Sequence, residues 1–152
     1  MVFDNPVSRL IRTPPMALKY DHDELVKDLA LLIERDSRYA LVKYFVPWGD
    51  AKTDLIGPFY PDITVLRREG RIKVMIEFET PYSFEDSDEV RRLESLSSYC
   101  AANGWEFHIA CADDETRELT KKKIYGREVQ PKAIWVLGGT PFAADKPIDA
   151  VA

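Results

Sequence analysis

The sequence predicts an α/β fold with a mixed β-sheet, and three observations support this class. Apolar residues recur at helical spacing in three segments. In five other segments they alternate with polar residues or form short apolar runs, as strands do. The segments follow the order helix, three strands, helix, strand, helix, strand. Three consecutive strands favour an antiparallel meander, whereas a strand, a helix and a strand in succession favour a parallel crossover.

The first predicted helix follows residues 1–20, whose three prolines and lack of periodicity indicate an irregular N-terminal arm. Asp21 is the expected N-cap of this helix, Glu24 completes a capping box, and an apolar stripe follows. A strand is predicted over 39–46. The connection at 47–61 is rich in proline and glycine and longer than most loops, which is typical of a functional segment.

The next two strands, 62–67 and 71–79, are predicted to form a hairpin. Gly70 lies in their short connection and supplies the positive φ that a tight turn requires. Along the second strand apolar side chains alternate with charged ones, Met75 excepted. One face of this strand is therefore expected in the core.

The remaining elements alternate between helix and strand. Ser87 is the expected N-cap of the second helix, and Gly104 lies just past its end. The third helix opens with three acidic residues and closes with three lysines, as its dipole favours. A glycine- and proline-rich tail, 139–152, is expected to be loose. The predicted helices and strands of this half are 87–102, 105–112, 113–123 and 133–137.

The length and composition are those of one globular domain, which we assign to 21–138. The chain has 152 residues, of which 45% are hydrophobic and 31% charged. No apolar stretch approaches the roughly 20 residues that cross a bilayer, and no secretory h-region is recognisable, so we expect a cytoplasmic protein without a membrane partner. The two cysteines fit no CxxC or Cys/His pattern, which excludes a disulfide scaffold and a zinc finger.

The net charge of −5 argues against a protein coated in positive charge, the simplest footprint of nucleic-acid binding. The charges are nevertheless unevenly distributed. Residues 67–73 carry four basic side chains and 117–132 carry six, whereas seven carboxylates lie within 77–94. A cation site beside a polyanion-binding surface would have this layout, and so would solvated helix faces.

The hairpin is predicted to bring carboxylates together. A two- or four-residue turn at Gly70 places Asp62 directly opposite Glu77, with Cβ atoms about 4.5–5.5 Å apart, which is destabilising unless positive charge lies between them. Glu79 shares this face, and three such carboxylates suit Mg²⁺ or Mn²⁺. A three-residue loop with a bulge would change the register. Alternatively, Glu77 and Glu79 form an exposed, aggregation-blocking strand face.

Pro61-Asp62, followed by Glu77-Phe78-Glu79 at the end of an amphipathic strand, resembles the PD-(D/E)xK nuclease superfamily. The order α-β-β-β-α-β over 21–112 is similar to the core of that superfamily. The string 76–80, Ile-Glu-Phe-Glu-Thr, resembles an uncharacterised prokaryotic branch. The resemblance implies a restriction-endonuclease-like core, with a mixed central sheet flanked by helices, to which this chain adds a C-terminal helix and strand.

The same resemblance implies that Asp62 and Glu77 are metal ligands and that Phe78 contributes its backbone carbonyl, with Mg²⁺ or Mn²⁺ as cofactor. Glu79 occupies the catalytic position at which the superfamily usually has lysine, the residue that orients and polarises the attacking water. In some restriction enzymes of the superfamily, glutamate at this position acts on water as a base or takes a second metal. The alternative is an inactive site.

Further site residues are implied by the resemblance. Many relatives have a glutamate in the first helix, and Glu24 fits that catalytic position better than Glu34 because it precedes the apolar stripe. Arg91 or Arg92 is better placed than Lys73 to substitute for the missing lysine, since Lys73 lies about 13 Å from the site along the strand. Four basic side chains are the expected contacts with nucleic acid: Arg67, Lys73, Arg91 and Arg92.

The histidines and the aromatic residues of the long loop are interpreted separately. His22 and His108 lack partners at ligand spacing, so we interpret them as a helix-start residue and a sheet residue. Trp48, Phe59 and Tyr60 could stack on nucleic-acid bases, although loop aromatics more often cover an edge of the core.

The implied reaction is metal-dependent phosphodiester hydrolysis on nucleic acid, with DNA the more expected substrate. A homodimer or larger complex is expected, because so small a core leaves little room for a recognition domain. Two alternatives remain open. A catalytically inactive nuclease-like fold could serve as a nucleic-acid- or protein-binding regulatory module, or the chain could be an unrelated α/β interaction domain, which Asp62 facing away from Glu77 would indicate.

Overall fold

A computed structural model describes residues 21–49 and 52–137. The predicted arm at 1–20 and the tail at 139–152 lie outside the described residues. Within the described ranges the chain forms three α-helices and five β-strands, in the order that the sequence predicts. Their bounds are α1 His22–Glu34, β1 Tyr39–Tyr44, β2 Ile63–Arg67, β3 Ile72–Glu79, α2 Glu89–Asn103, β4 Glu106–Cys111, α3 Asp114–Ile124 and β5 Ala133–Val136.

The strands form one sheet whose order follows the chain, from β1 at one edge to β5 at the other. β1, β2 and β3 pair antiparallel, and β3, β4 and β5 pair parallel. α2 makes the crossover between β3 and β4, and α3 makes the crossover between β4 and β5. The predicted α/β class with a mixed sheet is therefore confirmed. None of the helices in the described ranges has the length and apolar character needed to span a membrane.

The β2–β3 hairpin has the register on which the predicted site depends. Its paired residues leave 68–71 as a four-residue connection. Within that connection Gly70 has φ +79°, the left-handed backbone that the turn requires. Continuing the ladder by one pair places Asp62 opposite Glu77 at the open end of the hairpin.

Helices cover both faces of the sheet. On one face α1 packs against side chains that include Ile76 and Phe78 of β3. On the other face α2 and α3 pack against Met75 and its neighbours. Because side chains alternate along a strand, Glu77 and Glu79 lie on the Met75 face, and both are 0% exposed. The alternative in which they form an exposed strand face is therefore wrong.

The helix caps agree with those predicted from the sequence, except at the start of α2. Asp21 caps α1, and its side chain accepts hydrogen bonds from two backbone N–H groups of the first turn. Gly104 ends α2 with φ +73°. The N-cap position of α2 is Asp88 rather than Ser87, because the helical hydrogen bonds begin with the Arg92 N–H, which donates to the Asp88 carbonyl at 2.9 Å. The Asp88 N–H donates to the Asp86 side chain, also at 2.9 Å.

Replacing Gly70 by alanine tests the turn that sets the hairpin register. A side chain is strained at this φ, and the added Cβ would lie 3.3 Å from Cδ1 of Ile72. We expect Gly70→Ala to lower the free energy of unfolding, measured by urea denaturation, by about 1–2 kcal/mol. Gly70→Asn should lose less, because asparagine adopts left-handed backbone more readily. Equal losses in the two variants would contradict this explanation.

Candidate functional site

The candidate site lies at the carboxyl end of β3, where the start of β2 and the N-termini of α1 and α2 meet. Asp62 immediately precedes β2, and Glu77 and Glu79 lie within the last three residues of β3. Glu89 is the first residue of α2. The first three of these side chains belong to residues at most 3% exposed. A cleft of about 580 Å³ opens beside them. The residues that line it include His22, Tyr60, Asp62, Tyr82, Glu89 and Arg92.

Asp62 and Glu77 are held together by paired hydrogen bonds. The backbone N–H of Asp62 donates to Oε2 of Glu77 at 2.8 Å. The backbone N–H of Phe78 donates to Oδ2 of Asp62, also at 2.8 Å. Asp62 therefore faces Glu77. An Asp62 side chain facing away from Glu77 would have indicated an unrelated interaction domain.

The positive charge between these two carboxylates is the guanidinium of Arg92. Its Nη2 lies 3.3 Å from Oδ1 of Asp62, and its Nη1 forms an ion pair with Oε1 of Glu77. The same Nη2 donates to the backbone carbonyl of Tyr60 at 2.9 Å. The Arg92 side chain is only 17% exposed. The like charges that the hairpin brings together are thus compensated from α2, as their burial requires.

His22 is a functional residue that the sequence interpretation missed. Its Nε2 lies 3.2 Å from Oδ2 of Asp62, and its Nδ1 lies 3.0 Å from Oδ1 of Asp23. Burial opposes the charged form, but Asp62 and Asp23 hold the pKa of His22 well above its usual value. The ring is therefore a second cation of the site. The only sequence signal was its position at the N-terminus of α1, because its main partner is 40 residues away.

Neighbouring charges shift the pKa values of the buried carboxyl groups in different directions. Burial alone would raise the pKa of Asp62, but His22 and Arg92 hold that pKa well below its usual range. Burial raises the pKa of Glu77, and the ion pair with Arg92 acts in the opposite direction. For Glu79, burial and the nearby Glu89 carboxyl both raise the pKa. The surroundings of Glu79 therefore favour its neutral form, whereas those of Asp62 favour the ionised form.

With all of its carboxyl groups ionised, the site would hold more negative than positive charge. Four carboxylates, each on a residue or side chain at most 12% exposed, face one guanidinium and one protonated imidazole. If all four were ionised, the excess of two negative charges would equal the charge of one divalent cation or of two protons. The four carboxylates are Asp62, Glu77, Glu79 and Glu89.

These residues suit a hard divalent cation in chemistry and charge, although they do not form a ready-made cage. Carboxylate oxygens are the ligands that Mg²⁺ and Mn²⁺ prefer. Among residues 21–49 and 52–137, no three Asp, Glu, His or Cys side chains are grouped as a metal cage would require. Mg²⁺ is commonly held by one or two carboxylates together with water and substrate phosphate, so such a cage is not needed.

The structure does not bring Glu24 to the site. Glu24 is exposed, and its backbone N–H donates to the Asp21 cap. Side chains two residues apart on a helix point about 200° apart, so when His22 faces the cleft Glu24 faces away. His22 thus occupies the place that we expected for a glutamate of the first helix.

The four basic residues expected to contact nucleic acid have separate environments. Arg92 lies inside the acidic site, whereas Arg91 is exposed beside it and pairs with Asp88 at 2.9 Å. Lys73 lies over the Trp105 ring, 5.3 Å from its centroid, away from the cleft. Arg67 is the fourth, and its guanidinium is engaged by another carboxylate at the far end of the hairpin.

That carboxylate is Glu106. Arg67 donates to its two oxygens at 2.6 and 2.9 Å, and Lys132 donates at 3.0 Å. Burial opposes ionisation, but the hydrogen bonds from Arg67, Lys132 and His108 lower the pKa of Glu106 to about 2. The geometry gives Arg67 a structural role in joining β2 to β4.

Aromatic side chains form one wall of the cleft. Phe45 and Tyr60 stack with ring centroids 4.5 Å apart and an interplanar angle of 7°. Phe59 and Tyr82 also line the cleft, and Tyr82 is 45% exposed. An exposed ring such as that of Tyr82 can stack on an unpaired base. Trp48, the third aromatic residue of the long loop, is 54% exposed and does not line the cleft.

Comparisons with protein-family models, with curated proteins and with solved structures found no match to this chain. A functional interpretation therefore depends on the geometry of the acidic site and on the sequence motif. The geometry brings Asp62, Glu77 and Glu79 together and adds His22, Glu89 and Arg92.

Adjacent arginines provide a matched test of the charge balance. Arg92→Met should lower the free energy of unfolding by about 3–5 kcal/mol, because it leaves buried carboxylates without their main cation. Arg91→Met should change it by no more than about 0.5 kcal/mol, because Arg91 is exposed. Urea denaturation at pH 7 measures both. A loss below about 1 kcal/mol in Arg92→Met would contradict the compensation that we assign to it.

The Glu106 cluster predicts a pH dependence of stability. Because the folded-state pKa of Glu106 is depressed to about 2, its stabilisation is complete above the unfolded pKa and is lost as pH falls from about 4.5 towards 2. Glu106→Gln should therefore lose about 1–2 kcal/mol at pH 7, and its deficit should shrink as the pH falls. Denaturation between pH 7 and 3 measures this, with the exposed Glu85→Gln as control. A deficit independent of pH would refute the assignment.

Proposed function

We propose that this protein hydrolyses phosphodiester bonds in nucleic acid, with DNA preferred, and that the reaction requires Mg²⁺ or Mn²⁺. The observation that carries the proposal is the convergence of Asp62, Glu77 and Glu79 at the end of β3, in a site with excess negative charge. We further propose a restriction-endonuclease-like core. The observed element order and the hairpin register support this fold.

In this proposal, the protein holds the ion and positions the phosphate. The ion supplies Lewis-acid stabilisation of the charge that develops on the phosphate oxygens. The ligands implied by the motif are the carboxylates of Asp62 and Glu77 and the backbone carbonyl of Phe78. His22 keeps Asp62 ionised and fixes its orientation through the 3.2 Å contact.

Glu79 would act as the general base in place of the usual lysine. A general base works best when its pKa is close to the working pH. The pKa of Glu79 is raised by burial and by Glu89, which moves this carboxyl group in the required direction. Glu79 would therefore accept a proton from the attacking water more effectively than an exposed glutamate.

The cleft also suggests how nucleic acid would bind. Without a cation its carboxylates repel phosphate, so we expect the affinity for nucleic acid to depend on the divalent ion. The Tyr60 ring already stacks on Phe45 and has the Lys52 ammonium over it, so the exposed surface for a base is that of Tyr82. Arg91 is an exposed cation in the first turn of α2. A homodimer or larger complex and a cytoplasmic location remain predictions.

A second candidate function is a regulatory module that binds nucleic acid or protein without hydrolysing it. The observation that favours it is Arg92, whose contacts already compensate Asp62 and Glu77 without an ion. Such a protein would keep the fold and the cleft but would have no turnover.

A hydrolysis assay separates these functions. Fluorescently labelled single-stranded and duplex DNA would be incubated with wild type, Asp62→Asn and Asp54→Asn, in Mg²⁺, in Mn²⁺ and in EDTA. Asp54 is the matched control, because its side chain is 90% exposed. We expect metal-dependent cleavage by wild type and Asp54→Asn, and a loss of at least about 100-fold in Asp62→Asn.

Circular dichroism and thermal denaturation would establish that each variant is folded. Cleavage that persists unchanged in Asp62→Asn would contradict the assigned site. DNA binding by wild type without any cleavage would support the regulatory module instead.

A further inference from the structure

The buried charges of the site separate into two groups. Asp62 and Glu77 contribute two negative charges, and Arg92 and His22, which contact them, contribute two positive charges. This first group is neutral. Within the described residues, the space between Asp62 and Glu77 is occupied by the Arg92 guanidinium, so a cation placed there would have to displace it.

Glu79, on the same face of β3, forms no ion pair with a described residue, although Arg92 is near enough to act on it electrostatically. Glu79 is 0% exposed, and no described backbone N–H, hydroxyl or basic side chain donates a hydrogen bond to its carboxylate oxygens. The polar group that reaches them is the carboxyl group of Glu89. The backbone is fixed, because the Glu79 carbonyl accepts the Ala112 N–H at 3.0 Å. An ionised carboxylate buried without a donor or a cation is strongly unfavourable, so the Glu79 carboxyl group requires either a proton or a bound cation.

Glu89 is the polar neighbour of Glu79. Its carboxyl group interacts with that of Glu79 and, when ionised, has no proton to donate. Its side chain is 12% exposed and lies 3.6 Å from Arg92, a weaker contact than Arg92 makes with Glu77. Burial raises the pKa of Glu89, whereas its position as the first residue of α2 favours the ionised form through the helix dipole.

The cleft gives this pair access to solvent. Glu89 and Thr80, the residue after Glu79, both line the cleft of about 580 Å³. That volume accommodates an ion together with several water molecules or a phosphate group, since a water occupies about 30 Å³ in the liquid. Glu79 does not itself line the cleft, so an ion would reach it past the Glu89 carboxyl group. Both carboxylates project from the fixed backbones of β3 and α2.

We propose that Glu79 and Glu89 form a binding site for one divalent cation, Mg²⁺ or Mn²⁺, which enters from the cleft and leaves Arg92 between Asp62 and Glu77. Two carboxylates with water completing the shell are a common way to hold Mg²⁺. Two negative charges and one divalent ion make this second group neutral as well. This placement replaces Asp62 and Glu77, the ligands that the motif implies, because Arg92 already pairs with both. It also makes Glu79 a ligand of the ion rather than a general base. The catalytic use of the ion rests on the proposed function, whereas its binding does not.

Calorimetric titration of Mn²⁺ into the metal-free full chain tests this site. We expect one ion to bind wild type, with affinity reduced at least tenfold in Glu79→Gln and in Glu89→Gln. Glu85→Gln, an exposed glutamate just before α2, is the matched control and should bind as wild type does. Asp62→Asn should weaken Mn²⁺ binding less than Glu89→Gln does.

Thermal denaturation provides a second readout. In EDTA, Glu89→Gln should be at least as stable as wild type, because it removes repulsion between buried carboxylates. Mn²⁺ should raise the Tm of wild type and of Glu85→Gln, but not that of Glu89→Gln. A folding defect would therefore be recognised separately from a binding defect.

The outcomes distinguish this inference from the proposed function. Wild-type affinity in Glu89→Gln, abolition of binding in Asp62→Asn alone, or no Mn²⁺ binding by wild type would each overturn the Glu79–Glu89 site. Binding that depends on Glu89 in a protein that cleaves no DNA would support the site and remove the proposed hydrolysis. Cleavage that depends on Asp62, with a Mn²⁺ affinity unchanged in Glu89→Gln, would support the proposed hydrolysis and remove the Glu79–Glu89 site.

Discussion

The contacts of the Arg92 guanidinium with Asp62 and Glu77 are the interaction on which the acidic site depends. The hairpin register forces these two carboxylates together, and burial removes the water that would otherwise screen them. A planar guanidinium can bridge both groups and still donate to the Tyr60 carbonyl, which a lysine ammonium would do with less fixed geometry. The same contacts also fix the start of α2 against the hairpin, so electrostatics and packing specify one arrangement.

The sequence was sufficient to predict the fold class, the order of the elements and the pairing of Asp62 with Glu77. Strands have a period of two, and a short turn containing Gly70 allows few registers, so the relevant information is local. The sequence could not distinguish Arg91 from Arg92. Neighbouring helix residues point about 100° apart, and the start of α2 differs by one residue from the predicted one.

The remaining differences arise from long-range packing. His22 has no partner nearby in the sequence except Asp23, and its role depends on a contact that spans 40 residues. The charged side of β3 was compatible with a solvent-exposed face, but parallel strands connected by helices are covered on both sides. Two glutamates within such a covered strand conflict with ordinary core composition, and this kind of conflict is expected at functional sites.

The acidic net charge and the proposed substrate can be reconciled through local rather than global electrostatics. A cleft lined by carboxylates repels a polyanion, so net charge alone would argue against nucleic acid. A divalent ion beside Glu79 and Glu89 would neutralise the excess charge and would present a cation to phosphate, while the exposed ring of Tyr82 would present a surface to bases. Occupancy by the ion, rather than a permanently basic surface, would then control whether the cleft accepts its substrate.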